Sequence, residues 1–155
     1  MERPITLKSI GYVRSQRRDA RDDQWADEIS RIELVDSFAP DCLNGIEQFS
    51  HAEIVYQFHL VDEEKIERRA RHPRENPAWP HVGIFAQRGS SRPNRLGVSV
   101  AKIMGREGRV LTLAGLDAID GTPVLDIKPV MAEFLPQGEI RQPQWSHELM
   151  KRYWQ

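Results

Sequence analysis

The feature that most constrains the fold is a period-two alternation of apolar and polar residues, recurring in short segments. From His51 to His59, Ala52, Ile54, Tyr56 and Phe58 fall on one side. His51, Glu53, Val55, Gln57 and His59 fall on the other. Successive strand side chains point to opposite faces, so this spacing predicts a strand with one packed and one mostly polar face. Leu96–Met104 alternates in the same way, setting Leu96, Val98, Val100, Lys102 and Met104 against Gly97, Ser99, Ala101 and Ile103. Thr6–Arg14, Ile29–Val35, Val82–Gln87, Arg109–Leu116 and Pro123–Val130 also read as strands. Gly11 marks a bulge or a close approach. Phe38–Phe49 holds Pro40, Asn44 and Gly45 and reads as turn and loop. Ser15–Glu28 is polar and reads as a surface loop or short helix.

Only two segments read as helices. They are Asp62–Arg71, acidic at its start, and Trp145–Trp154, with Ser146 as its N-cap. Many short strands at regular spacing with so few helices predict a mainly β domain, as a barrel or a sandwich. The 155 residues suit one domain, expected over 1–155 with its core near 5–135. A chain of that size closes a core without disulfides. Cys42 is the one cysteine, which suits a reducing compartment and the role of a small core hydrophobe. No basic start precedes an apolar run, and no apolar run approaches the ~20 residues that span a bilayer. A cytoplasmic location away from membranes is expected.

The net charge of −1 conceals a segregation. Residues 65–109 hold 11 of the 22 Lys and Arg but three acids, a net +8, and the remainder carries −9. A basic face of this kind steers polyanions. The same numbers also fit solvated arginines that never converge.

Common catalytic signatures are absent: the chain has no G-x-G-x-x-G, Walker A, C-x-x-C, H-E-x-x-H or G-x-S-x-G. A nucleotide cofactor would therefore not sit on a Rossmann phosphate loop. His51 and His59 share a strand face about 26 Å apart, too far for one metal, and no metal is expected. Two loops stand out instead. Phe85–Gly97 concentrates Arg88, Arg92 and Arg95 with Ser90, Ser91 and Asn94. This set suits phosphate or carboxylate recognition, or else an ordinary basic hairpin. Leu116–Pro129 contains Asp120-Gly121, a turn with free backbone amides, followed by Asp126 and Lys128 on one strand face. That face lines a site or carries a surface ion pair.

These loops resemble the signatures of the TsaA-like, TrmO-type family. The first runs Gly83-Ile84-Phe85-Ala86-Gln87-Arg88 through Arg92-Pro93-Asn94 to Gly97-Val98-Ser99. The second runs Leu116-Asp117 through Asp120-Gly121-Thr122-Pro123-Val124 to Asp126-Ile127-Lys128-Pro129. Gly45–His51 and Ile10–Ser15 agree as well, so the resemblance spans roughly residues 5–135. It implies a single-domain, non-Rossmann β-barrel with short peripheral helices, forming a homodimer. The barrel would bind S-adenosyl-L-methionine and methylate N6 of threonylcarbamoyl-adenosine beside the anticodon of tRNA.

Carried over by position, His59, Leu60, Arg88, Asp120, Gly121, Thr122 and Pro123 match cofactor positions. Arg92, Asn94, Arg95 and Lys128 are then expected at the substrate. Asp120 or Asp126 is the expected proton acceptor. Arg88 or Arg92 would hold a carboxylate by a bidentate contact. The chain departs from the pattern at Arg95, where members often have Pro, and at Gly89-Ser90-Ser91. Ser15–Glu28 lacks the usual Pro-Arg-Gln, and the C-terminal domain of longer members is not seen. Those departures keep two alternatives in view: a non-catalytic cofactor- or RNA-binding regulatory module, and a small-molecule methyltransferase.

Overall fold

The computed structural model describes all 155 residues. Eight strands form: β1 (Gly11–Ser15), β2 (Ile29–Leu34), β3 (His51–Gln57), β4 (Ala70–Arg71), β5 (Val82–Gly83), β6 (Leu96–Glu107), β7 (Val110–Ala114) and β8 (Pro123–Pro129). Six close a barrel in the order β1-β2-β7-β6-β3-β8, and β4 and β5 pair separately. Every pairing is antiparallel. Closure removes the exposed edges that an open sheet of such short strands would present. No helix is long and apolar enough to cross a membrane.

The inward positions build the core from Val13, Ile32, Ile54, Tyr56, Leu111, Leu113 and Val124, all buried. In β6 the small side of the alternation points inward: Gly97, Ser99 and Ala101 are buried, whereas Val98, Val100 and Met104 are exposed. Tyr56 fills the space beside Gly97, where an added Cβ would lie 2.5 Å from the ring. Gly11 is a close approach, as expected: a Cβ there would meet the Glu33 carbonyl oxygen at 2.6 Å. A register shift in β6 between Ile103 and Gly105 lets its first half pair with β3 and its second with β7.

Several expectations are corrected. Asp62–Arg71 is not an α-helix. A single 3₁₀ turn, Glu63–Lys65, leads into extended chain and β4. It begins a lobe over residues 58–95 that leaves the barrel between the neighbouring strands β3 and β6. Val82–Gln87 divides into β5 and a 3₁₀ turn, Ile84–Ala86. The C-terminal helix α1 is Gln144–Met150, with Pro143 at its N-cap. The Ser146 hydroxyl donates to the Pro143 carbonyl instead of capping. Cys42 is exposed, and its neighbour Leu43 is the buried residue.

Candidate functional site

The second sequence loop forms a turn at one end of the barrel. The Thr122 amide donates to the Ile119 carbonyl at 3.2 Å, and Gly121 sits at φ +80, where a Cβ is strained. Four hydrogen bonds stitch this turn to the first strand and the chain after it. Gly121 N donates to Val13 O, Val13 N to Thr122 O, and Asp120 N to Arg17 O. Ser15 N donates to Asp120 Oδ1 at 3.0 Å. One Asp120 oxygen is thus held by the backbone, which orients the carboxylate. His59 follows β3 and brings Nε2 to 3.8 Å from where a Gly121 Cβ would stand. Burial lowers the His59 pKa below its ordinary value, which favours the neutral ring. His59 and the Asp120–Pro123 turn, matched separately by resemblance, therefore meet. Leu60 is exposed.

The first loop is a knot of arginine-to-carbonyl bonds. Arg88 donates to Val98 O at 2.9 Å, Arg92 to Gln87 O at 2.7 Å, and Arg95 to Val61 O at 2.7 Å. Buried Gln87 fastens the loop to the lobe by donating to Arg71 O and Val82 O. Asn94 and Arg95 have φ of +63 and +53. Asn tolerates that region, but proline is locked near −65° and cannot adopt it. Arg95 therefore stands where a proline would not fit, which gives the departure from the family pattern a geometric meaning. Asn94 itself is exposed.

Asp126 and Lys128 do not join this group. They pair with each other at 2.8 Å, both half-exposed. The cause is a register shift in β8, where Val124 pairs with Tyr56 but Asp126 with Val55. The extra residue, Leu125, reverses the strand's parity and turns Asp126 to the outer wall.

The sequence reading missed a cluster centred on Asp117, although this residue lies in the second motif. Tyr56 Oη sits 3.0 Å from Asp117 Oδ1, and the Tyr153 hydroxyl donates to Oδ2. Burial first, then the Asp117 charge, pushes both phenols well above the usual tyrosine range, and the Arg88 charge opposes this. Tyr56 was legible only as a core residue and Tyr153 only as a helix residue. Arg17 was also missed. It is 4% exposed, lies 3.4 Å from the Trp25 ring and donates to the carbonyls of Arg21, Asp23 and Gln24.

Beside the first loop, the lobe forms an open polar cleft of about 530 Å³ with no apolar lining residue. Lys65, Arg71, His72 and His81 line it with Ser91, Glu67 and Glu75. Arg71 Nε is buried there without a partner. No group of three His, Cys, Asp or Glu is placed to hold a metal ion.

The family described as tRNA-methyltransferase O N-terminal domain matches residues 14–134. A human tRNA (adenine(37)-N6)-methyltransferase is 41% identical over 101 residues, 65% of this chain and 22% of the relative. A Pseudomonas aeruginosa protein named as a putative S-adenosylmethionine-dependent methyltransferase is 37% identical, over 87% of this chain and 57% of its own length. A solved structure of TrmO from Pseudomonas aeruginosa superposes with a TM-score of 0.75 at 28% identity, covering 94% of this chain and 63% of that one. The chain thus spans less than two thirds of the length of each. With the barrel, both motif loops and the match over 14–134 in agreement, the chain belongs to the tRNA-methyltransferase O N-terminal domain family.

Proposed function

We propose that the chain is an S-adenosyl-L-methionine-dependent methyltransferase acting on N6 of an adenosine in tRNA, with threonylcarbamoyl-adenosine beside the anticodon as acceptor. The observation that carries this reading is the meeting of His59 with the Asp120–Pro123 turn, where the Ser15 amide fixes the Asp120 carboxylate. The reaction class is that of the relatives described above.

These residues fit the chemistry of the cofactor. Arg88 retains N–H donors beyond the one given to Val98, as an anionic carboxylate requires. The Gly121 turn lets backbone approach closely, and the carboxylates of Asp117 and Asp120 offer acceptors. S-adenosylmethionine, when bound, supplies an electrophilic methyl group on a sulfonium. The protein's part is to position donor and acceptor and to receive a proton. Asp120 is the better-placed acceptor, because the Ser15 amide fixes its carboxylate at the turn. Asp126 is engaged by Lys128. Arg92, Asn94 and Arg95 would act at the substrate from the first loop, whereas Lys128 stays on the outer wall. The lobe cleft, with Arg71 Nε unpartnered, offers tRNA phosphates a polar seat. The exposed row Val98, Val100 and Met104 is a surface for a second copy, as a homodimer needs.

A second reading rests on the first motif loop. It departs from the family pattern at Gly89-Ser90-Ser91 and at Arg95. A cofactor-binding module without turnover fits those departures. Transfer of labelled methyl from S-adenosylmethionine to tRNA, with and without threonylcarbamoyl-adenosine, separates the two. Label in the modified tRNA alone is expected. Cofactor binding without label in either sample supports the module.

A further inference from the structure

The pairing of β4 with β5 gathers three nitrogen-bearing side chains in the lobe. Arg71 pairs with Val82, so the next residues along, His72 and His81, face each other at the end of the ribbon. Their rings meet edge to face with centroids 5.1 Å apart. His72 Nδ1 lies 2.7 Å from the Trp79 carbonyl oxygen. A carbonyl only accepts, so Nδ1 carries a proton and Nε2 is the nitrogen left free.

Both rings line the polar cleft together with Arg71. Arg88, Arg92 and Arg95 each give a donor to a carbonyl. The half-buried Arg71 guanidinium gives none, and its Nε is buried without a partner. Its Nη2 lies 3.3 Å from where a Gly89 Cβ would stand, so a glycine that departs from the family pattern leaves this guanidinium room. A guanidinium withdrawn from water without an acceptor carries a desolvation cost, which an oxyanion relieves.

Charge alone does not draw an anion here while the histidines are neutral. Around the cleft, Glu67 and Glu75 balance Lys65 and Arg71. Lys65 also meets Asp62 at 3.7 Å, Arg74 is drawn off to Asp23 at 3.0 Å, and Glu148 of α1 accepts from Trp79. A proton on each ring makes the cleft cationic. Two imidazolium rings 5.1 Å apart repel each other, and an anion beside them offsets that repulsion. Anion and protons therefore enter together.

We propose that Arg71, His72 and His81 form a proton-linked seat for a phosphate group of the RNA backbone. This rests on the proposed function in one respect, that RNA is the polyanion the chain meets. The sign follows from linkage: a bound phosphate favours the protonated rings, so affinity rises as pH falls. The phosphodiester itself keeps one negative charge throughout the range in which histidines titrate.

The test is filter binding of bulk tRNA to the full chain from about pH 8 to about pH 6 at fixed salt, with thermal midpoints recorded for each variant. Affinity is expected to rise roughly tenfold toward the acid end, the lower end of what an opposite charge does to a neighbouring ionisable group. His72→Asn with His81→Asn, where an amide keeps a donor for the Trp79 carbonyl, is expected to match the unaltered chain at the alkaline end and to lose the rise. His81→Asn alone, at an exposed ring, is expected to lose part of the rise and carries the test if the double variant does not fold. Arg71→Ala is expected to weaken binding at every pH. A rise that survives intact in the histidine variants belongs to other histidines and overturns the inference alone, as does tRNA affinity in Arg71→Ala equal to that of the unaltered chain. A rise seen with inorganic phosphate and not with tRNA overturns it in favour of a free phosphate. Absence of tRNA binding at any pH overturns it together with the tRNA reading.

Discussion

At Gly97 a hydrogen in place of a side chain decides how the site is packed. An alanine Cβ would lie 2.5 Å from Tyr56 Cε2 and Cζ and 3.0 Å from the Phe58 ring. Tyr56 has little room to yield. Its hydroxyl is held at Asp117, and its ring meets Phe58 edge-on with centroids 5.4 Å apart. Gly97→Ala is therefore expected to destabilise the fold by about 1–3 kcal/mol, as overpacked cores do. A lowered urea midpoint with an unchanged slope is the expected reading, and an unmoved midpoint would contradict it. The first motif includes this glycine, but its spacing does not say what excludes a side chain there, because the ring arrives from β3. Gly11 was legible, since a glycine in a strand pattern announces a close approach. Asp126 shows the limit of counting by twos: one bulged residue, Leu125, sends it to the other face. His59 and Gly121 could be paired only through the family motifs, because no periodicity relates them.

Among the elements, the strands were legible and the lobe was not. Alternation placed β3 and β6, and the barrel then determined which side of β6 turned inward. Beside Tyr56 there is space only for Gly97, and Ser99 and Ala101 follow it inward opposite Ile54 and Ala52. Asp62–Arg71 carries the composition of a helix but no apolar stripe, and an isolated helix that short is marginal. Pairing of β4 with β5 and the proline at Pro73 draw it into extended chain instead. The loop after β1 owes its shape to Arg17, whose buried guanidinium gathers three carbonyls and lies against Trp25. Arg17→Ala orphans those carbonyls and is expected to cost about 2–4 kcal/mol. It should also expose the loop to trypsin at Arg18 and Arg21. Arg17→Lys should rescue little, because one ammonium cannot reproduce a planar fork. A wild-type cleavage pattern in Arg17→Ala would refute this role.

Across the whole molecule, the charge segregation acquires a location. Of the eleven basic residues in 65–109, Lys65, Arg74, Arg106 and Arg109 pair with carboxylates. Arg88, Arg92 and Arg95 donate to neutral carbonyls and so keep their positive charge unneutralised. Arg68, Arg69 and Arg71 are in no ion pair, and they lie on the same lobe as the first motif loop. If tRNA reaches the site across this lobe, the logarithm of its affinity falls linearly with the logarithm of salt, with a slope of about 0.9 per neutralised phosphate. Replacing Arg68, Arg69 and Arg71 together by alanine should flatten that slope by up to about 3 and weaken binding for all tRNA sequences alike. S-adenosylmethionine affinity should remain as in the unaltered chain, since none of the three is placed at the cofactor turn. Filter binding across a salt series measures the slope, and an unchanged slope would place the tRNA on another face. Loss of cofactor affinity in the same variant would instead mean that the lobe holds the Arg88 loop in shape, which Gln87's bonds to Arg71 O and Val82 O make a concrete rival. Because those bonds reach backbone carbonyls, side-chain replacement leaves them intact, and the charge effect is the one expected.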